Sequence, residues 1–202
     1  ELKSRNVILP GSIAIIMALI GTLLTALVVA REWERGTMEA LMSTTVSIWE
    51  LVIGKVIPYF FLGMCSMALC VLVSVFIYDL PLRGSCLLLA GVSALFLFCA
   101  LGLGLMISTL TKNQIFAYQI TLIVAFLPAY ILSGFLFEIY SMPKWIQLLT
   151  YIIPAKYFVQ SLQSIFLVGN VWRLIWIDMI PIMTMGLFFF IITALKTVKR
   201  LD

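Results

Sequence analysis

Residues 7–30, VILPGSIAIIMALIGTLLTALVVA, carry no charged side chain, and neither do residues 56–78, 86–110 or 115–137. At 1.5 Å per residue, each run is long enough to cross a hydrocarbon core of about 30 Å as a helix. That core holds no water, so each backbone N–H and C=O must be paired within the segment, which selects helices. A fifth block, 172–195, is apolar apart from Arg173 at its edge and Asp178. The 202 residues are 63% hydrophobic and 11% charged, whereas soluble domains are roughly half apolar and a quarter charged. Mean hydropathy is +1.17. These features predict an all-α membrane protein: one transmembrane domain, 1–202, with about five spanning helices.

The formal charge of +4 includes no basic run longer than KTVKR near the C-terminus and no basic stripe with interleaved aromatics, so nucleic acid is not an expected partner. Cys65, Cys70, Cys86 and Cys99 all fall in apolar blocks without CxxC spacing, which fits packing and gives no support for zinc or a disulfide framework. Histidine is absent, which removes His-based triads, metal ligands and proton relays. There is no HExxH, GxSxG or paired carboxylate either, and an enzyme is not expected. The chain starts at Glu1 with no signal peptide ahead of the first block, which suggests a fragment of a longer protein.

In the first block Gly11, Ala14, Ala18, Gly21 and Thr25 recur at spacings of 3 and 4. They form one stripe of small residues, the surface by which membrane helices approach closely. Ser47 and Glu50 form a capping-box pattern ahead of the second block. That helix is expected to start at the membrane surface and dive, with Pro58 near the bend. Between 138 and 171 the apolar runs are too short to span and are broken by Pro154, which predicts a re-entrant or interfacial helical hairpin. Trp33 and Trp49 flank one implied surface, and Trp145, Trp172 and Trp176 the other, as an aromatic belt requires. Five spans place the termini on opposite sides. With 31–55 cytoplasmic, seven Lys and Arg fall inside and six, Lys156 among them, outside, so charge alone barely orients the chain.

The segment REWERGTMEALMSTT packs Arg31, Glu32, Glu34, Arg35 and Glu39 into nine positions. Each central charge costs roughly 2.5–3.5 kcal/mol in the bilayer, so the segment must stay outside it. Beyond Gly36, Met38, Leu41 and Met42 fall at helical spacing. A short amphipathic helix along the membrane surface, about 34–45, is expected. Its mixed charge argues against simple attraction to anionic lipid and suits a groove on another protein. A solvated interfacial linker is the alternative.

Glu32, Glu34, Gly36, Thr37, Glu39 and Leu41 match the pattern Glu-x-Glu-x-Gly-Thr-x-Glu-x-Leu, and here the chain resembles ABC-2 type transporter permeases, in particular the drug-efflux-like bacterial branch. The order of Met142-Pro143 and then Pro154-Ala155-Lys156-Tyr157-Phe158 is similar to that family's extracytoplasmic hairpin, and GLGLMISTLTKNQ to its junction between the third and fourth blocks. Thr45 and Glu138 stand where the family often has Pro, and no Arg lies near Gln163. The resemblance implies a further N-terminal helix, and in drug-exporter-like members a large extracytoplasmic domain, before residue 7. It also implies a multi-pass protein of the bacterial inner membrane, with 31–55 and the C-terminal tail cytoplasmic.

The function implied is that of an ABC exporter permease. Two permease subunits, alike or different, would pair in lipid and rest their coupling helices on two P-loop ATPase subunits. Gly54-Lys55 lacks the rest of a P-loop, so the chain itself has no cofactor, and ATP and Mg would belong to the partner. The coupling contacts would come from Glu32, Glu34, Gly36, Thr37, Met38, Glu39, Leu41 and Met42, with Met38, Leu41 and Met42 filling the groove. The substrate would be hydrophobic or amphiphilic, a drug or a lipid. Polar residues inside spans are candidates for its path: Tyr118, Gln119, Tyr130, Ser133 and Asp178. Helix-to-helix hydrogen bonding is the alternative role for them. Tyr151, Pro154, Tyr157 and Phe158 are candidates for an outer gate. A secondary transporter or channel is the rival reading, with Asp178 as its only intramembrane carboxylate.

Overall fold

The computed structural model describes residues 4–42, 47–137 and 139–197. Among them are nine α-helices and no strand: α1 Ser4–Glu34, α2 Thr37–Met42, α3 Ile48–Phe76, α4 Cys86–Thr111, α5 Gln114–Thr121, α6 Leu127–Leu132, α7 Lys144–Thr150, α8 Pro154–Gln163 and α9 Trp172–Lys196. Five helical stretches are long and apolar enough to cross a membrane: Ile8–Glu34, Trp49–Phe76, Cys86–Thr111, Gln114–Leu132 and Trp172–Lys196. The all-α membrane class and the span number match expectation.

Span boundaries depart from expectation in three places. The first helix does not end at 30 but continues through Arg31–Glu34, because those charges find partners on neighbouring elements. The second begins at Ile48 rather than 56, and its start is capped as the sequence suggested: the Ser47 N–H donates to the Glu50 carboxylate at 2.8 Å. Pro58 lies inside this helix. The fourth stops at Leu132 rather than 137, since Gly134 takes φ +85°, a conformation that ends a helix and suits glycine. Within it a π-helical turn, Leu122–Phe126, joins α5 to α6. Pro128 explains that turn: it has no N–H to donate and its ring crowds the carbonyl four residues back, so the backbone widens just before it.

α4 is the centre of the bundle, packed on α1, α3, α5, α8 and α9. Lipid offers no hydrophobic drive between helices, so close approach and dispersion decide the pairing. The small-residue stripe of α1 is where this happens. A Cβ on Gly21 would come within 2.8 Å of the Ala100 Cβ, a Cβ on Gly104 would run into Thr25, and one on Gly11 into Phe135. Ala14 and Ala18 are buried in the same seam. The Thr22 and Thr25 hydroxyls donate to the carbonyls of Ala18 (2.6 Å) and Gly21 (3.0 Å), so they enter the seam with no unmet polar group.

After α6, the short helices α7 and α8 form a hairpin around a bend at 151–153. Its rim is fixed beside the α3–α4 turn, where the Gly84 N–H donates to the Ile165 carbonyl at 2.9 Å and the Ser85 N–H to the Asn170 side chain at 2.7 Å. Its elbow lies deep. Phe158 stacks on Phe96, ten residues into α4, with ring centroids 4.0 Å apart. Neither hairpin helix is among the described helices long and apolar enough to cross a membrane, so the hairpin adds no span to the five.

Candidate functional site

Two places gather polar side chains: the end of α1 with α2 on one face of the bundle, and the inside of the hairpin near the other.

At the first, Gly36 takes φ +71°, so the chain can turn sharply from α1 into α2. The Ala40 N–H donates to the Gly36 carbonyl at 3.2 Å, and the Thr37 hydroxyl to the Glu32 carbonyl at 3.1 Å. Glu32 forms an ion pair with Lys55 of α3. The Lys55 ammonium also lies 3.1 Å from the Met38 sulfur, and Met38 is buried. Glu34 accepts from the Asn113 amide at 3.1 Å, and Arg31 donates to Gln114 at 3.4 Å, both at the α4–α5 turn. Lys112, held at φ +51°, places its ammonium 4.7 Å from the centre of the Trp33 ring.

Glu32 and the buried Met38 meet Lys55, and the exposed Glu34 reaches Asn113, tying α1 to α3 and to the α4–α5 turn. The helix starts later than 34, because Glu34 belongs to α1 and α2 begins at Thr37, and residues 43–45 of the expected range lie outside the described residues. Thr37 and Leu41 are exposed, Leu41 at 41%. The side chains of Glu39 and Met42 lie outside the described residues.

At the second, a chamber of about 660 Å³ opens among α6, the hairpin and α9, lined by Ser133, Tyr151, Lys156, Tyr157 and Asp178 among others. Asp178 is 3% exposed and accepts from the Ser161 hydroxyl at 3.2 Å. Lys156, 8% exposed, donates to the Thr150 hydroxyl at 3.1 Å. Its ammonium lies 3.5 Å from the centre of the Tyr151 ring and 5.7 Å from that of Tyr157. Burial pushes the Lys156 pKa below the usual lysine value, and the Asp178 charge offsets part of that shift. Tyr157 donates its hydroxyl to the Tyr151 carbonyl at 3.0 Å, fixing the two rings together. The buried Ser133 hydroxyl has no hydrogen-bond partner among the described residues. Across the elbow, where Ile152 to Ala155 pass, lies a second cavity of about 370 Å³, lined by apolar side chains of α1, α4, α6 and the hairpin.

The candidate path residues separate. Ser133 and Asp178 line the chamber. Tyr130 stacks on Phe126 at 5.8 Å and meets Phe135 at a tilt at 6.0 Å. Tyr118 and Gln119 sit exposed on α5, toward the opposite end of that span. The candidate gate separates too. Tyr151 and Tyr157 line the chamber and Pro154 the apolar cavity, whereas Phe158 is fully buried against Phe96, a packing residue that faces neither cavity. Lys156, expected among the outer surface charges, is instead buried.

A family model described as ABC-2 type transporter matches residues 2–167. The chain is 54% identical over 199 residues to the probable multidrug ABC transporter permease YbhS of Escherichia coli (strain K12), covering 98% of this chain and 53% of that protein. It is 30% identical to the probable multidrug ABC transporter permease YbhR of the same organism, over 87% of this chain and 48% of that one. With the inner membrane transport permease YhhJ, also from strain K12, identity is 28%, over 95% and 52%. The chain thus spans about half the length of the curated relatives it matches. No solved structure matches it. This chain, with five helices among the described residues long and apolar enough to cross a membrane, belongs to the ABC-2 type transporter family.

Proposed function

We propose that this chain forms the membrane-embedded part of a permease subunit in an ATP-driven exporter of the bacterial inner membrane. It would pair with a second permease and with two P-loop ATPase subunits that bind ATP and Mg. Residues 31–55 and the C-terminal tail face the cytoplasm in this reading. The substrate is a hydrophobic or amphiphilic molecule, in keeping with the multidrug names of two relatives.

One observation carries the proposal. α2 projects from the end of α1 through Gly36, and the α1 end is fastened to α3 by Glu32–Lys55 and to the α4–α5 turn by Glu34–Asn113. A push on α2 therefore reaches several spans together. α1 in turn packs on α8, so the push continues to the hairpin beside the chamber. Thr37, Ala40 and Leu41 form the exposed side of α2, with Glu39 and Met42 assigned to the same contact by their place in the motif. The test is Leu41→Asp in the full-length permease. Co-purification of the ATPase and ATP-driven export should both fall, while the permease still accumulates in the membrane. Unchanged co-purification and export would remove α2 from the contact.

A second reading rests on the buried Lys156 and Asp178, since intramembrane charge is also the equipment of ion-coupled transporters. Transport that tracks an ion gradient and ignores ATP would favour it.

A further inference from the structure

The hairpin holds an ammonium group in surroundings suited to recognising one. Lys156 faces two tyrosine rings, 3.5 Å and 5.7 Å from their centres, and Asp178 supplies negative charge in the same chamber. Aromatic faces attract cations through the ring quadrupole, more strongly where water is scarce. The arrangement is rigid on the receiving side, through the Tyr157–Tyr151 and Ser161–Asp178 hydrogen bonds. It is soft on the donating side, because the ammonium hangs on a four-carbon stem that can swing into the open chamber. The elbow adds a second element: Tyr151 and Lys156 line the polar chamber, whereas Ile152 to Ala155 between them line the apolar cavity. Ile139, Val159, Leu174 and Ile177 line the polar chamber too, so a molecule with a bulky apolar body and one positive charge finds both kinds of surface on the chamber side of that elbow.

We propose that Tyr151, Tyr157 and Asp178 form a binding site for lipophilic monovalent organic cations, and that the Lys156 ammonium is a tethered guest which such a cation displaces. This deepens the export reading by naming its substrate class, and it depends on that reading only for the transport steps after binding. Displacement makes and breaks no covalent bond. The arriving cation takes the ring faces and the carboxylate, and the lysine moves to water in the chamber.

The consequence is an inverted mutational sign. If Lys156 were there only to neutralise Asp178, removing its charge would weaken the region and with it any binding. If Lys156 is a competitor, removing its charge frees the site. The probes are tetraphenylphosphonium and tetraphenylborate, of nearly equal shape and opposite charge. Binding is measured on the full-length permease in nanodiscs without nucleotide. Lys156→Met should bind tetraphenylphosphonium several-fold more tightly than the unaltered protein and tetraphenylborate no more tightly. Asp178→Asn added to Lys156→Met should abolish that gain. Tyr151 is exposed, so Tyr151→Leu should fold, and it should lose roughly 3–10-fold in phosphonium affinity with Lys156 intact. Equal or weaker phosphonium binding by Lys156→Met, or no effect of Tyr151→Leu, overturns the proposal, and the second variant decides if the first fails to fold. Export is measured separately in vesicles with the ATPase: ATP-driven export of other compounds without phosphonium binding sinks this site alone, and phosphonium binding without ATP-driven export of anything sinks the export reading alone.

Discussion

The Phe158 ring lies face to face with that of Phe96, centroids 4.0 Å apart and planes within 8°. One comes from α8 and the other from the middle of α4, and both are fully buried. The stack sets the depth of the elbow, and so the wall between the two cavities. Phe158→Ala should leave a hole that lipid cannot fill. In a membrane the cavity term remains although the transfer term is largely absent, giving a loss of about 2 kcal/mol. A lower melting temperature in detergent would show it, with Phe158→Leu losing less. An unchanged melting temperature would mean that the hairpin is held by its rim alone.

Two glycines of α4 should respond in opposite ways. At Gly104 an added Cβ meets the Thr22 carbonyl at 2.5 Å and collides with Thr25, so Gly104→Ala must push α1 and α4 apart. A loss of about 1–3 kcal/mol is expected from such overpacking. At Gly91 nothing lies within 4 Å, and alanine is the better helix former, so Gly91→Ala should be neutral or slightly stabilising. Thermal unfolding of the two variants side by side is the check. Equal behaviour would deny that the small-residue seam sets helix distance.

The Glu32–Lys55 pair is partly buried, with 32% and 13% of the two side chains exposed, and the cost of desolvating both charges offsets much of their attraction, so its own contribution to stability is small, about 0–1 kcal/mol. Its value in the proposed mechanism is mechanical, because it makes α3 move with α1. Lys55→Glu should therefore lower export per ATP hydrolysed several-fold with little change in melting temperature. The reversed pair, Glu32→Lys with Lys55→Glu, should recover part of it. Measuring ATPase and export together in one vesicle preparation separates this from loss of folding. A Lys55→Glu protein that exports normally would show that the pair transmits nothing.

The features legible in the sequence are those that depend on neighbours along the chain. Four of the five spans come from uncharged runs and the fifth from a run broken by Arg173 and Asp178, and the seam on α1 comes from the spacing of Gly11, Ala14, Ala18, Gly21 and Thr25. The Ser47–Glu50 cap is likewise local. The features hidden from it depend on distant partners. Glu32 and Glu34 look like free acidic contacts until Lys55 and Asn113, 23 and 79 positions away, are brought to them. Lys156 looks like a surface charge because nothing local says that Tyr151 folds back over it or that Asp178 is close by. Pro128 is visible, but its effect, a widened turn at Leu122–Phe126, requires knowing that the helix carries on past it.

The hairpin's dependence on α9 also has a consequence for biosynthesis. Lys156 leaves the ribosome before Asp178, and α9 is made after the hairpin. Until it arrives, the lysine has no carboxylate to offset its burial, and a bare ammonium is costly at that depth. The hairpin should thus wait at the surface and settle only when α9 docks. Chains arrested after residue 171 should leave a hairpin cysteine label accessible from the outer side, and chains carried through residue 197 should protect it. Protection in the shorter chain would show that the elbow seats itself without help.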